Sequence, residues 1–344
     1  MPRDILKKSK HFLDVAIVGG GPAGSTTGAL LRKYRPELTV GIFEREQFPR
    51  EHVGESLLPS VCKVLDEMGC WDAVEGAQFP IKIGATYRWG SSPDLWDFEF
   101  LPVSEYRDET RPAKFEGIRA RTAFQVDRAI FDKILLDRSA DLGCQVFESS
   151  QVVQVCHENG SIQSLVLENG DQVEAKFYVD ASGASATVRR SLEVPIEQPT
   201  KLRNVAFWDY WENADWAVSI GKGATRVLVL SIDWGWIWFI PVGPTRTSIG
   251  LVCPADHFKA SGLCPTEIYE MALNSEPKIR ELTGDAFREG QVRGAKDWSF
   301  VAEKLCGANW FLVGEIAGFA DPILAAGLTP VSYTHLTLPT IYSV

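Results

Sequence analysis

The stretch that decides the fold is Leu13-Asp-Val-Ala-Ile-Val-Gly-Gly-Gly-Pro-Ala-Gly24, an apolar run that ends in a glycine-rich turn. The apolar part over 13–18 predicts a short buried strand, and residues 25–34 predict a helix. A second β-rich run over 38–43 ends on Glu44, 20 residues beyond the turn. A G-x-G-x-x-G turn between a strand and a helix, followed by an acid at this distance, is typical of adenine dinucleotide binding.

Each residue type in this turn has a physical task. Gly19 permits the tight turn, Gly21 lets the backbone approach a pyrophosphate, and Gly24 lets the helix pack closely on the strand. The N-terminus of the helix, with Ala23 in its first turn, then faces the phosphates. Glu44 can accept a hydrogen bond from a ribose hydroxyl. The sequence therefore predicts that an adenine dinucleotide binds here.

The rest of the chain favours FAD over NAD as that dinucleotide, because regular βαβ repeats do not continue. The residue pattern predicts helices near 57–69 and 127–142, a hairpin with Asn159-Gly160 at its tip, and β-rich runs at 81–89, 97–101, 172–179 and 203–252. A nucleotide fold interrupted by a largely antiparallel insertion is the layout of single-domain flavoproteins. The predicted fold class is α/β, with a Rossmann-like FAD-binding domain and an inserted, largely antiparallel β-sheet substrate region.

The net charge and the residue composition argue against several classes of protein. The net charge of −10, from 45 acids and 35 bases, argues against nucleic-acid binding, and no apolar run is long enough to span a membrane. Seven scattered cysteines without a C-x-x-C pair fit reduced thiols, so a cytoplasmic location is expected. The five histidines show no ligand spacing, so no metal site is expected. Eleven tryptophans is a high number for this length. They predict a sheet that packs against a flat surface, either of the protein itself or of a bound ring system.

Five segments resemble flavin-dependent halogenases within the para-hydroxybenzoate hydroxylase and geranylgeranyl reductase superfamily. Four of them are typical of the superfamily as a whole, and Trp236-Ile-Trp238-Phe-Ile240-Pro241 matches the W-x-W-x-I-P signature of the halogenases. The other four are the glycine-rich turn with Glu44-Arg45, Phe48-Pro-Arg-Glu-His-Val-Gly-Glu-Ser-Leu-Leu-Pro59, Phe124-Gln-Val-Asp-Arg128 with Phe131-Asp132, and Gly314-Glu-Ile-Ala-Gly-Phe-Ala-Asp-Pro322.

The resemblance implies which residues hold FAD. Beside the turn residues, this set contains Arg45, Arg50, Ser56, Gln125, Arg128, Glu315 and Asp321. The resemblance also places Lys82, in the apolar run Phe79-Pro-Ile-Lys-Ile83, at the position of the family's active-site lysine. Desolvation among apolar neighbours lowers the pKa of a lysine and suits it to chemistry, although exposed lysines are far commoner.

Strand alternation puts Trp236, Trp238 and Ile240 on one face, as a bulky dry wall. The resemblance implies that this wall, continued by Pro241, keeps the organic substrate away from the flavin. It also implies that a separate reductase supplies reduced FAD, that halide is oxidised to hypohalous acid, and that the acid reaches Lys82. An electron-rich arene such as a phenol, pyrrole or indole, free or tethered to a carrier protein, is then halogenated.

The chain departs from the family pattern at two sites. Glu315 stands where the family has aspartate, and Leu324-Ala-Ala-Gly327 replaces the Glu-Ser-Thr-Gly of tryptophan-type halogenases. The catalytic glutamate of that type is therefore missing, so we expect a phenol- or pyrrole-type enzyme. A halide is expected on the backbone amides near Ala326 and Gly327, at the start of a helix.

We expect one FAD-dependent domain over 12–328. Its FAD-binding parts are predicted at about 12–60, 120–195 and 300–328, and its β-sheet substrate part at about 80–115 and 200–295. Residues 329–344 have no amphipathic period and resemble sequencing-adapter read-through, so we interpret them as a non-native tail on a truncated chain.

Two alternatives remain open from the sequence. One is a monooxygenase or geranylgeranyl-reductase-like oxidoreductase of the same fold that uses NAD(P)H directly. The other is a flavin-binding fragment without catalytic activity.

Overall fold

The computed structural model describes residues 9–90, 92–221, 223–297, 299–319 and 323 of the 344-residue chain. The predictions for Asp321, Ala326, Gly327 and the tail over 329–344 lie outside these residues. No helix in this part of the chain is long and apolar enough to cross a membrane.

The first half of the chain alternates helices and short strands. In chain order its elements are β1 (Lys10–Val18), α1 (Pro22–Tyr34), β2 (Val40–Phe43), α2 (Pro59–Met68), α3 (Trp71–Gly76), β3 (Ile81–Arg88), β4 (Trp96–Glu99), β5 (Ala123–Phe124), α4 (Arg128–Asp141), β6 (Gln145–Phe147), β7 (Val152–Glu158), β8 (Ser161–Leu167) and β9 (Gln172–Asp180).

The second half is richer in long strands. Its elements are α5 (Thr187–Ser191), β10 (Ile196–Glu197), β11 (Asn204–Glu212), β12 (Ala224–Ile232), β13 (Gly235–Pro241), β14 (Arg246–Pro254), α6 (Ala255–Ser261), α7 (Pro265–Ser275), α8 (Pro277–Leu282), β15 (Phe287–Arg288), β16 (Arg293–Asp297), β17 (Phe300–Ala302), β18 (Trp310–Leu312) and β19 (Gly318–Phe319).

The nucleotide-binding part is built on a mixed sheet in the order β6-β2-β1-β9-β8-β7, with β18 also paired to β9. Strands β2, β1, β9 and β18 run parallel, whereas β7, β8 and β9 are antiparallel neighbours. Because β1 and β9 are adjacent and parallel, their carboxyl ends meet at one edge of the sheet. That edge is where open α/β sheets bind their ligands.

The second large sheet runs β15-β11-β14-β13-β12-β3-β4 and is antiparallel except where β3 pairs with β12. One face of it packs against α7 and α8, and the other face carries Trp208 and Tyr210 of β11 and Trp236 and Trp238 of β13. The predicted α/β class with an inserted, largely antiparallel sheet is confirmed.

Most element bounds follow the sequence pattern within a few residues, with two differences. Strand β1 begins at Lys10 rather than near Leu13, because its first residues pair with the start of β9. The region after residue 254 forms α6, α7 and α8 instead of further strands. Proline at the first turn of α7 and α8 sets their starts, and Ile268, Ala272 and Leu273 pack the core side of the sheet.

Candidate active site

The glycine-rich turn connects β1 to α1 with little room for side chains. Gly19 has a φ of +104°, and a Cβ on it would lie 2.4 Å from the carbonyl oxygen of Ala181. A Cβ on Gly24 would lie 1.9 Å from the carbonyl oxygen of Gly19. Helix α1 begins after Gly21 with Pro22 and has no side-chain cap at its N-terminus. Its first backbone amides can therefore face an anion.

A cavity of about 320 Å³ opens in front of this turn. It is lined by predicted residues from several separate segments, and by others that were not predicted. The predicted ones are Gly19, Gly21, Ala23, Glu44, Arg45, Arg50, Arg128 and Glu315, and the others include Glu51, His52, Gln151, Ser182, Gly183, Ser185 and Thr187. The structure thus brings residues from four of the five motif segments to one cavity, and the tryptophan motif lies outside its lining.

Glu44 is buried at the end of β2, and both of its carboxylate oxygens accept hydrogen bonds from the backbone. The amide of Gly20 donates to Oε2 at 2.7 Å, and the amide of Glu46 donates to Oε1 at 2.9 Å. A carboxylate held in this way keeps further lone pairs for a ribose hydroxyl. Across the cavity mouth, Arg45 donates to the Ser185 hydroxyl at 2.9 Å.

Arginine residues hold the inner end of the cavity. Asp132 is fully buried between two of them, Arg50 at 3.0 Å and Arg128 at 2.7 Å. Arg128 also donates to the carbonyls of Val53 and Gly54, at 2.7 and 3.1 Å. Burial raises the pKa of the nearby Glu315, and the charge of Arg128 opposes that increase.

The segment over 53–57 connects this cavity to the second sheet. Its backbone pairs with 124–126, through the Val126 amide to the Glu55 carbonyl at 2.7 Å and the Leu57 amide to the Phe124 carbonyl at 3.0 Å. The Ser56 hydroxyl is buried and has no hydrogen-bond partner in the described part of the chain. This segment is consequently fixed from both sides, with a hydroxyl available to a bound group.

Gln125 does not line the cavity, and its side chain contacts β12 and β13 of the second sheet. With its amide nitrogen towards Pro241 and its oxygen towards β12, it donates to the Pro241 carbonyl at 3.1 Å and accepts from the Val227 amide at 3.1 Å. These contacts give Gln125 a structural task, and they fix the last residue of the tryptophan motif.

Trp208, Trp236 and Trp238 form one buried aromatic surface, hereafter the tryptophan wall. The ring of Trp238 is 6.4 Å from that of Trp208 and 6.0 Å from that of Trp236. Ile240 packs in the same cluster, and the indole of Trp238 donates to the Ser248 hydroxyl at 3.1 Å. Trp238 lies flat over Gly250, where a Cβ would be 2.1 Å from the ring.

A β-bulge sets the direction of Lys82. Lys82 pairs with Thr225 and Gly84 with Arg226, so Ile83 is the extra residue in β3. The bulge moves Lys82 to the face that Ala85 and Tyr87 share with the tryptophan wall. Uninterrupted alternation would instead give Lys82 the opposite face from these two residues.

Lys82 is 1% exposed, and its ammonium donates to the Leu57 carbonyl at 2.9 Å. The ring of Phe100 lies 5.3 Å from the nitrogen. Burial lowers the pKa of Lys82 to about 7. Lys82 is therefore a desolvated amine on the wall's face of the sheet, and it lies outside the cavity at the glycine-rich turn.

The residues of this cavity fit FAD. The turn has space for backbone only, the helix N-terminus is uncapped, and Glu44 is positioned by two amides. The predicted residue Ser56 does not line the cavity, although its buried hydroxyl lacks a partner among the described residues. Ser182, Gly183, Ser185 and Thr187, which follow β9, complete the cavity lining, and none of them was predicted individually. The sequence feature that could have predicted them is Asp180-Ala-Ser-Gly183, which follows the β-rich run over 172–179. Ligands of open α/β sheets bind at the carboxyl ends of the strands.

Fold and cavity together define an FAD-dependent oxidoreductase. The family model described as tryptophan halogenase matches residues 14–117 and 109–341. The 1H-pyrrole-2-carbonyl-(peptidyl-carrier protein) chlorinase of Pseudomonas fluorescens is 33% identical over 341 residues, covering 93% of this chain and 73% of the relative. The chain belongs to this family of flavin-dependent halogenases, and FAD is its cofactor.

Two further relatives agree with this membership. The tryptophan 2-halogenase of Chondromyces crocatus is 32% identical over 323 residues, which cover 91% of this chain and 58% of the relative. The solved structure of a myxobacterial chondrochloren halogenase, an FAD-dependent enzyme, superposes with a TM-score of 0.84 at 30% identity. That match covers 97% of this chain and 76% of the other. The family predicted from the sequence motifs is confirmed.

Proposed function

We propose that this chain halogenates an electron-rich pyrrole or phenol, and that free tryptophan is not its substrate. The observation that carries the proposal is Lys82, a buried amine on the same sheet face as the tryptophan wall. The relative named as a chlorinase of carrier-bound pyrrole supports this substrate class. Leu324-Ala-Ala-Gly327, in place of the glutamate motif of tryptophan-type enzymes, supports it independently.

The cavity residues would hold the cofactor. The amides at the start of α1 would bind the pyrophosphate, Glu44 the ribose, and Arg45, Arg50 and Glu315 the remaining polar groups. Ser56, which is not part of the cavity lining, would add its unpartnered hydroxyl from segment 53–57. Bound FAD, once reduced, supplies the electrons with which oxygen oxidises halide to hypohalous acid. The arginine pair around Asp132 keeps this end of the cavity rigid.

The tryptophan wall would keep arene and water apart from the oxidation step. Its three indoles are each less than a tenth exposed, and the Ser248 contact fixes Trp238 in place. A dry wall of this kind prevents loss of a reactive oxidant to side reactions.

Lys82 would receive the hypohalous acid. With a pKa of about 7, a large share of the side chain is a neutral amine near neutral pH. The amine lone pair can accept a hydrogen bond from hypohalous acid, or it can take the halogen, forming an N–X bond and releasing water. In both cases the reactive halogen is held at the Lys82 nitrogen before it reacts with the arene ring.

We also propose a separate reductase as the source of reduced FAD and a substrate that arrives free or on a carrier protein. A cytoplasmic location would fit the seven cysteines, none of which forms a disulfide.

The test is a product assay with purified chain, a flavin reductase, NADH, oxygen and bromide or chloride. The arenes are a pyrrole carboxylate, free and carrier-bound, a simple phenol, and tryptophan. We expect halogenated pyrrole or phenol, and none without the reductase. Hydroxylated product formed with NAD(P)H alone would contradict the proposal and support the monooxygenase alternative.

A further inference from the structure

Glu55 is a buried acid that the function described above does not use. It is 1% exposed, and its Oε1 accepts a hydrogen bond from the Tyr210 hydroxyl at 2.7 Å. Its second oxygen, Oε2, is buried without a well-formed hydrogen bond in the described part of the chain, and the Ser248 hydroxyl is the nearby donor that partly stabilises the carboxylate. Buried polar atoms are nearly always well hydrogen-bonded, so a buried carboxyl left in this state calls for an explanation.

Glu55 lies in the chain between residues that contact the FAD cavity and residues that contact Lys82. The carbonyls of Val53 and Gly54, directly before it, are bound by Arg128 from the FAD cavity. The carbonyl of Leu57, two residues after it, is bound by Lys82. Its side chain points to Tyr210 of β11, beside the tryptophan wall.

Other unpartnered polar atoms lie in the same region. Eight buried side-chain atoms lack a partner among the described residues, and three of them belong to Glu55, Ser56 and Trp208. Two come from segment 53–57 and one from the tryptophan wall. Such a group can be satisfied by water or by a small hydrogen-bonding molecule at the wall.

The charges around Glu55 are mixed. Asp127 and Arg128 lie at the start of α4, and the Ser248 hydroxyl reaches it from β14. Arg246 and Arg293 stack on the Tyr210 ring at 3.8 and 4.9 Å. Burial raises the pKa of Glu55 to about 7, while the hydroxyls of Tyr210 and Ser248 and the charge of Arg128 oppose the increase. Glu55 can therefore hold or release a proton near neutral pH.

We propose that the Glu55 carboxyl, positioned by Tyr210, supplies the proton that hypohalous acid formation consumes. This inference rests on the proposed function. Reduced FAD, one O2, one halide ion and one proton give oxidised FAD, one hypohalous acid and one water. The O–H bond of the carboxyl breaks, its proton is incorporated into these products, and the carboxylate is reprotonated from solvent.

Two measurements test this role. The first is the pH dependence of hypohalous acid formation by the reductase-coupled chain, read with a chemical trap in place of arene. We expect the wild-type rate to fall above about pH 7, and Glu55→Gln to lower it about 100-fold or more below that pH. Tyr210→Phe removes a donor to the carboxylate, so it should move the midpoint up by about one pH unit.

The second measurement needs no turnover. Infrared difference spectra of the full chain between acid and alkaline pH should show loss of a buried carboxylic C=O band with a midpoint near 7. Glu55→Gln should lack this band change, and Tyr210→Phe should move its midpoint upward. Glu168→Gln, at an exposed acid in a hairpin of the other sheet, is the control and should change neither readout.

A Glu55→Gln chain with the wild-type rate and pH profile would overturn the inference and leave the proposed function standing. An unmoved midpoint in Tyr210→Phe would also overturn it, even if the Gln variant does not fold. If the wild type forms no hypohalous acid at all, the proposed function fails and this inference fails with it.

Discussion

At the scale of single residues, Gly24 and Lys82 are the two positions most sensitive to substitution. Gly24 has no space for a side chain, and Lys82 is a buried titratable group. Gly24 lies against the Gly19 carbonyl with no space for a methyl group. Lys82 keeps a titratable nitrogen in a dry environment. Both residues were identified from the sequence, the glycine by its motif and the lysine only by resemblance.

Gly24→Val should abolish FAD binding, because the new Cβ would meet a backbone oxygen at 1.9 Å and push α1 off β1. Flavin absorbance of the purified, FAD-soaked protein measures this. Gly76→Ala, where a Cβ would meet nothing within 4 Å, should keep the flavin. Retained flavin in the valine variant would show that the helix start can shift at little cost.

The pKa of Lys82 predicts a pH dependence of stability. Because this pKa is about 7 in the folded state and 10.5 in the unfolded chain, the unfolded chain binds more protons between those values. The cost of the buried ammonium is fully present below pH 7, and the free energy of unfolding should rise by roughly 4 kcal/mol towards pH 10.

Lys82→Met should remove that rise, as measured by urea unfolding at several pH values. Lys63→Met, at an exposed lysine of α2, should keep the wild-type slope. A wild-type slope in Lys82→Met would mean that Lys82 titrates normally.

At the scale of elements, the bulge in β3 positions Lys82, and the pairing of β13 with β14 positions Trp236 and Trp238. The sequence predicted that Trp236 and Trp238 share a face, because alternation is a local property of a strand. It could not predict the bulge beside Lys82, which arises from the pairing of β3 with a strand more than 130 residues away.

Gly250→Ala should displace Trp238, since the added Cβ would be 2.1 Å from the ring. We expect a loss of about 1–3 kcal/mol of stability and a changed tryptophan emission spectrum. Gly243→Ala, whose nearest contact would be at 3.8 Å, should change neither. An unchanged spectrum in the Gly250 variant would contradict the close contact between ring and glycine.

Arg128→Met should destabilise the chain by about 3–5 kcal/mol, because it leaves the fully buried Asp132 with one cation fewer and frees two carbonyls of segment 53–57. Denaturant unfolding measures the loss. Lys133→Met on the same helix breaks only an exposed pair with Asp137, so less than about 1 kcal/mol is expected. Equal losses in the two variants would contradict a special role for Arg128.

At the scale of the whole molecule, the order of strands and helices was predictable because the motifs fix the N-terminal sheet. The strand ends, the glycine turn and the hairpin follow from local patterns. The three helices after β14 were not predicted. Ser182–Thr187 lie inside the FAD-binding part predicted at about 120–195, but they were not predicted as individual site residues. These depend on which segments meet across the two sheets, and such long-range packing is not visible in local periodicity.

Under the proposed function, Lys82 acts after hypohalous acid has formed. One reaction tests it, with reductase, halide and a pyrrole or phenol, in which consumed flavin electrons and aryl halide are both quantified. We predict that Lys82→Met loses aryl halide at least 100-fold while flavin oxidation continues at the wild-type rate. Undiminished aryl halide in Lys82→Met would contradict the account.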